Sequence, residues 1–240
     1  MYIKTKHLLS GAVKRRRSVA ALSAVITSLI VFAAMPAKAA ARSDATGDFL
    51  TVFDGPHAAD LDVTAVDARR SGQIVTLTAD LAGALGTTAD AAYVWGINRG
   101  AGVEPFPHFD PPTGQGVFFD AYVILAANGS GTLTNLLTGK AQALDPASIH
   151  VHGSRITVSL DASLLPSQGF AFGDYLYNFW PRFAPGGVVP TNNRQISDFA
   201  PDDKSFAAGV PEPASWGMMI GGFSAIGGLM RRRRIVARFA

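Results

Sequence analysis

Val75-Thr76-Leu77-Thr78-Ala79-Asp80-Leu81 alternates strictly between apolar and polar residues. Successive side chains of an extended chain point to opposite faces, so this stretch is a strand with one dry face and one wetter face. The same period recurs in Phe119, Ala121, Val123 and Leu125, set between Asp120, Tyr122 and Ile124. It recurs again in Ile156, Val158 and Leu160, set between Thr157, Ser159 and Asp161. Working outward, similar short runs occupy residues 49–53, 61–67, 92–98, 131–136, 149–152, 175–180 and 194–199. Ser71-Gly72, Asn128-Gly129-Ser130-Gly131, Gly153-Ser154 and Pro185-Gly186-Gly187 separate them with turn chemistry. Asn128-Gly129-Ser130 also fits a glycosylation sequon, but it reads first as a turn. No long 3.6-residue pattern crosses residues 40–209, apart from a single turn at residues 162–165. The spacing predicts an all-β domain over residues 40–206: one antiparallel β-sandwich, jelly-roll-like.

The two ends have a different composition. Residues 1–18 carry Lys4, Lys6, Lys14, Arg15, Arg16 and Arg17 with no acid, and residues 19–34 are almost wholly apolar. Ala37-Lys38-Ala39 then places small residues at the two positions a signal peptidase reads, so residues 1–39 read as a secretory signal peptide. Arg16-Arg17 hints at the twin-arginine route, but the residues after this pair match that route poorly, which favours the general secretory route. The overall net charge of +3 hides an acidic interior: residues 40–209 hold seventeen acids against nine lysines and arginines, a net −8. An acidic domain disfavours nucleic acid as a partner. Cysteine is absent, and a domain of this length buries enough apolar surface without staples.

At the other end, Val210-Pro211-Glu212-Pro213-Ala214-Ser215-Trp216 leads into a glycine-rich apolar run and then Arg231-Arg232-Arg233-Arg234. Each arginine resists hydrocarbon by at least ~2.5–3.5 kcal/mol, so the block stops translocation. The apolar run from Trp216 to Met230, at ~1.5 Å per residue, is short for a core of ~30 Å. Glycines 217, 221, 222, 227 and 228 weaken it further as a helix. It reads as a short transmembrane sorting helix rather than a robust anchor, although Gly217 and Gly221 also have helix-packing spacing. The division is then 1–39 signal peptide, 40–206 sandwich, 207–209 linker, 210–234 sorting and transmembrane segment, and 235–240 cytoplasmic tail.

This segment resembles the PEP-CTERM sorting domain of Gram-negative bacteria, also called the ice-binding protein C-terminal domain without any implication of ice binding. Pro211, Glu212, Pro213 and Trp216 carry the signature, Met218 and Met219 the hydrophobic start, and Arg231, Arg232, Arg233 and Arg234 the basic end. Residues 235–240 extend past the point where many members stop. The resemblance implies export across the inner membrane and recognition by an exosortase, a membrane protease-transpeptidase acting near Pro-Glu-Pro. It also implies a cell-surface or extracellular destination, in hosts that commonly make exopolysaccharide and biofilm.

Chemistry inside the domain is sparse. No nucleophile motif or phosphate-cradling glycine loop is present, and the two glutamates are Glu104 and Glu212. His150 and His152 share one strand face, but sequence places no third metal ligand, and His108 sits in a proline-rich loop. Asp44, Asp48 and Asp54 flank the first run, and Asp198, Asp202 and Asp203 surround the last. If the terminal strands pair, Asp44, Asp48, Asp198 and Asp202 converge as hard oxygen donors for Ca²⁺. Turn capping and solubility explain the same aspartates equally simply. Tyr93 and Trp95 share a strand face, as do Tyr175, Tyr177 and Phe179, with Trp180 on the opposite face of that strand; Trp95 and Trp180 are either stacking surfaces for sugar rings or core. The expected protein is a non-catalytic exported one, associated with polysaccharide. A carbohydrate-active enzyme with an Asp pair and a permanently membrane-anchored structural protein are the alternatives.

Overall fold

The computed structural model describes residues 41–202, 204–209 and 222–224. The signal-peptide residues, including Ala37 and Ala39, lie outside these, as do Pro211, Glu212, Pro213, Trp216, Arg231, Arg232, Arg233, Arg234, Asp203 and the tail 235–240. Residues 222–224 are helical, and no helix among the described residues is long and apolar enough to cross a membrane.

The described residues form eleven strands, in chain order β1 (Arg42–Ser43), β2 (Val63–Ser71), β3 (Ile74–Leu81), β4 (Ala91–Asn98), β5 (Ala121–Leu125), β6 (Gly131–Asn135), β7 (Lys140–Ala143), β8 (Ile149–His152), β9 (Arg155–Asp161), β10 (Leu176–Phe183) and β11 (Phe206–Ala207). They make two antiparallel sheets, ordered β1-β2-β3-β9-β8 and β11-β10-β4-β5-β6-β7. Tight turns join β2 to β3 and β8 to β9, with Gly72 and Gly153 both at φ 58° in the left-handed region. The chain changes sheet between β3 and β4, between β7 and β8, and between β9 and β10. The all-β sandwich is therefore the observed architecture.

The alternating residues do what their period requires. Val75, Leu77, Ala79 and Leu81 are buried, as are Ala121, Val123 and Leu125, and Ile156, Val158 and Leu160. The β3 and β9 residues meet Tyr93, Trp95, Ile97, Tyr177 and Phe179 from the facing sheet, with the β5 residues beside these, in one cluster. Trp95 and Phe179, opposite one another in the β4–β10 register, hold their rings 4.9 Å apart.

Strands β4 and β10 depart from alternation because both of their faces are dry. Val94 and Trp180 project away from the inter-sheet core into a second cluster with Phe106, Val117, Phe119, Ile196 and Phe199. Where the aromatic rings of Phe106, Phe119, Trp180 and Phe199 meet, their centroids lie 5.1–5.9 Å apart. Gly96 makes this possible, since a Cβ there would come within 2.7 Å of the Trp180 ring. Two loops carry the covering layer, residues 99–120 and 184–205.

Several boundaries differ from the sequence expectation. Residues 49–53 form a turn rather than a strand; Phe49 and Phe53 stack with His57 instead of joining a ladder. Residues 194–199 are not a regular strand either, although the bridges Arg182 to Ile196 and Phe179 to Ala200 run this segment along β10. Residues 207–209, expected as a linker, belong to the fold: Ala207 pairs with Leu176, Ala208 is buried, and Gly209 bridges to Arg69 on the other sheet.

Candidate metal centre

Residues 42–50 and residues 197–202 meet at one edge of the sandwich. β1 pairs with β2 through Arg42–Val66 and Ser43–Ala65, and the Asp44 N–H donates to the Thr64 carbonyl at 2.9 Å. β2 shifts register between Val63 and Ala65, an irregularity that bends the strand just after Asp62. From the other end, Leu50 N–H donates to Ser197 O at 2.8 Å, which draws residues 197–202 beside the 44–50 turn.

Five aspartates converge there. Carboxylate oxygens of Asp44, Asp48 and Asp202 lie within 4.8 Å of one another, and so do those of Asp48, Asp62 and Asp198. The structure thus brings together Asp44, Asp48, Asp198 and Asp202, the four expected from sequence, and adds Asp62. Asp62 falls within the run expected as a strand over residues 61–67, and its signal is a carboxylate beside Leu61 at the start of that run. Asp54 belongs elsewhere, in an exposed ion pair with Arg194 at 3.3 Å.

The inner carboxylates are tied to backbone. Asp62 accepts the Gly47 N–H with both oxygens, at 3.1 and 2.9 Å, which fixes the turn that presents Asp48. Asp198 is fully buried and accepts from Val63 N–H at 3.0 Å and from Phe199 N–H at 2.7 Å. Asp44 differs: its Oδ2 is buried without a hydrogen-bond partner. Burial, reinforced by Asp202, Asp48 and Asp62, raises Asp44 to about 7. Burial likewise lifts Asp198 to about 8 against the hydrogen bond from Val63, with Asp44 and Asp48 adding to the rise. Asp62 is also raised, by burial first.

So many carboxylates in one place are tolerated only if protons or a cation offset their repulsion. A hard cation taking carboxylate oxygens suits the donor set, which contains no nitrogen or sulfur. Asp44, Asp48 and Asp202 are the residues that could hold one. Asp62 and Asp198 stand behind them, orienting the loop and adding negative charge.

The other candidates separate from this centre. His150 and His152 are exposed on the edge strand β8, opposite Thr157 and Arg155, and join no three-residue ligand group among the described residues. His108 is exposed in its loop. Glu104 accepts the Gly116 N–H. Trp95 is 0 % and Trp180 2 % exposed, so neither is a surface platform for sugar: Trp95 lies in the inter-sheet core, and the loops over β4 and β10 cover Trp180 on the outer face.

No curated protein matches the chain. The family model of the PEP-CTERM protein-sorting motif matches residues 209–234. The match begins at Gly209, the residue whose bridge to Arg69 ends the described sandwich. The chain is therefore an exported β-sandwich protein bearing a PEP-CTERM protein-sorting motif, which targets it through exosortase to the cell surface or beyond.

Proposed function

We propose that this protein is a non-catalytic component of the cell surface or extracellular matrix whose sandwich is clamped by Ca²⁺ and associates with polysaccharide. Signal peptidase removes residues 1–39, and the C-terminal segment holds the chain in the membrane until exosortase acts. The observation that carries the reading is the sorting motif abutting the fold at Gly209, two residues before Pro211. The aspartate centre supports the calcium element, since it ties residue 44, near the start of the sandwich, to residue 202, near its end. An exported protein meets millimolar calcium, so a site of extracellular affinity, ~10⁻⁴–10⁻³ M, suffices.

The raised values of Asp44 and Asp198 favour one competing reading, a carbohydrate-active enzyme using an Asp pair. Access argues against it. Asp198, the more strongly raised of the two, is fully buried, and both of its oxygens are engaged by backbone N–H groups. A general acid has to reach the glycosidic oxygen.

The reading is tested by incubating the purified protein with the host's own exopolysaccharide, in millimolar Ca²⁺ and in chelator, and with chromogenic glycosides and esters. Retention on the polysaccharide in Ca²⁺, its loss in chelator and no turnover are expected. Turnover of any sugar substrate would replace the non-catalytic reading with the enzymatic one. Absence of retention in both buffers would remove polysaccharide as a partner.

A further inference from the structure

A cleft of about 100 Å³ opens on the outer face of the β4–β10 sheet, walled by Phe106, Phe119, Tyr122, Ile124 and Trp180. The one charged side chain on its wall, among the described residues, is Arg182. Arg182 projects from β10 on the same face as Trp180, two residues away, and is only 3 % exposed.

Its chemistry is unfinished. Nη2 donates to Asn192 O at 2.8 Å, Nε is buried without a partner, and Nη1 has no acceptor. No carboxylate pairs with it: the ion pairs of the described residues join Arg69, Arg99, Arg155 and Arg194 to aspartates, never Arg182. Burial without an anion depresses its pKa to about 10 despite the nearby Tyr122 hydroxyl. The contrast within the molecule is direct, because the other fully enclosed arginine, Arg99, is matched by Asp120 at 2.6 Å. A largely buried guanidinium whose Nε–H lacks a partner and which no carboxylate faces is a costly feature in isolation. It becomes favourable when an anion arrives.

We propose that this cleft binds a small apolar monocarboxylate, its two oxygens on the Arg182 guanidinium and its ring or short acyl chain against Trp180, Phe106 and Ile124. The wall decides the class. A planar guanidinium matches a two-oxygen carboxylate, whereas a phosphate dianion needs more donors than Arg182 and Tyr122 supply. A sugar would leave most of its hydroxyls against phenyl and aliphatic surface, which is unfavourable. The volume also sets a limit: an apolar protein cavity of ~150 Å³ accommodates benzene, so a smaller but half-open cleft takes one ring that partly protrudes, or a chain of similar bulk. This inference is independent of the calcium centre and of sorting.

Isothermal titration of the purified protein with benzoate and with benzyl alcohol, which share the ring and differ in the charge, tests it. Benzoate is expected to saturate with at least about tenfold higher affinity than the alcohol, the scale of one charge-assisted pair. Arg182→Met should abolish that preference while leaving the fold at least as stable, since it removes an unpaired buried charge. Should Arg182→Met fail to fold, Ile124→Trp, which fills the cleft and keeps the arginine, serves instead and should remove binding of both ligands. Equal affinity for the two ligands, no saturable benzoate binding up to about 10 mM, or benzoate binding undiminished in Ile124→Trp would each overturn the proposal.

Discussion

Asp120→Ala is expected to destabilise the sandwich by about 3–5 kcal/mol, the range seen when one partner of a buried ion pair is removed. Asp120 lies between the sheets' loops with 1 % exposure, and the Arg99 it faces has none. Arg99 Nε meets Asp120 Oδ1 at 2.6 Å, while Oδ2 accepts the backbone N–H groups of Arg99 at 2.9 Å and Ala101 at 3.0 Å. One carboxylate therefore organises the whole turn leaving β4. Arg99 also reaches the Asp120 carbonyl and Pro166 O, which ties that turn to the loop before β10. Alanine strands a buried cation together with one buried and one half-buried N–H group. Arg99→Met should cost less, because Asp120 keeps its two backbone donors. Urea unfolding at neutral pH measures both, and a loss below about 1 kcal/mol for Asp120→Ala would show that the pair adds little to this fold.

The second large effect concerns the aspartate centre. With chelator present, thermal stability should fall as pH rises from about 5 to about 8. The sign follows from the direction of the shifts. Asp44, at about 7, Asp198, at about 8, and Asp62 all bind protons more tightly folded than unfolded. Their contribution is present below the ordinary carboxylate range and is lost as pH climbs through the folded values. Calcium replaces those protons, so it should stabilise most at pH 8 and release protons on binding. At a free concentration about 100-fold above Kd the gain is about 2.7 kcal/mol, or roughly 5–10 °C for a domain of this size. Asp48→Asn gives a signature of opposite sign in the two buffers: a smaller calcium shift, yet higher stability than wild type in chelator at pH 8, because one of the crowded charges is gone. Coincident melting curves in chelator and in Ca²⁺ at pH 8 would dismiss the ion and leave the aspartates as turn formers.

Where one face of a strand meets the core and the other meets water, the sequence was readable: β3, β5 and β9 fall on their alternating residues. The segments that differ do so for two physical reasons. β7 is exposed along its whole length, so it has no apolar stripe to detect, and Lys140 is the kind of residue that guards an edge. Ile196 and Phe199 resembled strand residues because they are buried, but they are buried as a lid over Trp180 rather than as ladder members. That lid buries Trp180, whereas Trp95 is core because it faces the other sheet. Period-two patterning does not show that a sheet's outer face is covered by loops far away in sequence.

The candidate centre was legible in outline for a different reason. Aspartates crowded at both ends of one sandwich become neighbours if its terminal segments meet, which β1–β2 pairing and the Leu50–Ser197 bond accomplish. Asp62 was hidden because a carboxylate just before a strand looks like an ordinary polar position. Arg182 was hidden more thoroughly: nothing in Pro181-Arg182-Phe183 signals that the guanidinium is buried or that no acid faces it.

Ending the fold at Gly209 also places the sandwich hard against the sorting signal, with only Val210 between them and Pro211. The central claim, that this is an exosortase-sorted exported protein, is tested most directly by intact-mass and terminal-peptide mass spectrometry of the native protein from exosortase-positive cells. The mature chain should begin at Ala40 or a near neighbour and lack Arg231, Arg232, Arg233 and Arg234, and the tail should be retained when the exosortase is deleted. A mature protein that keeps the arginine block in exosortase-positive cells would contradict sorting and leave a permanently anchored protein.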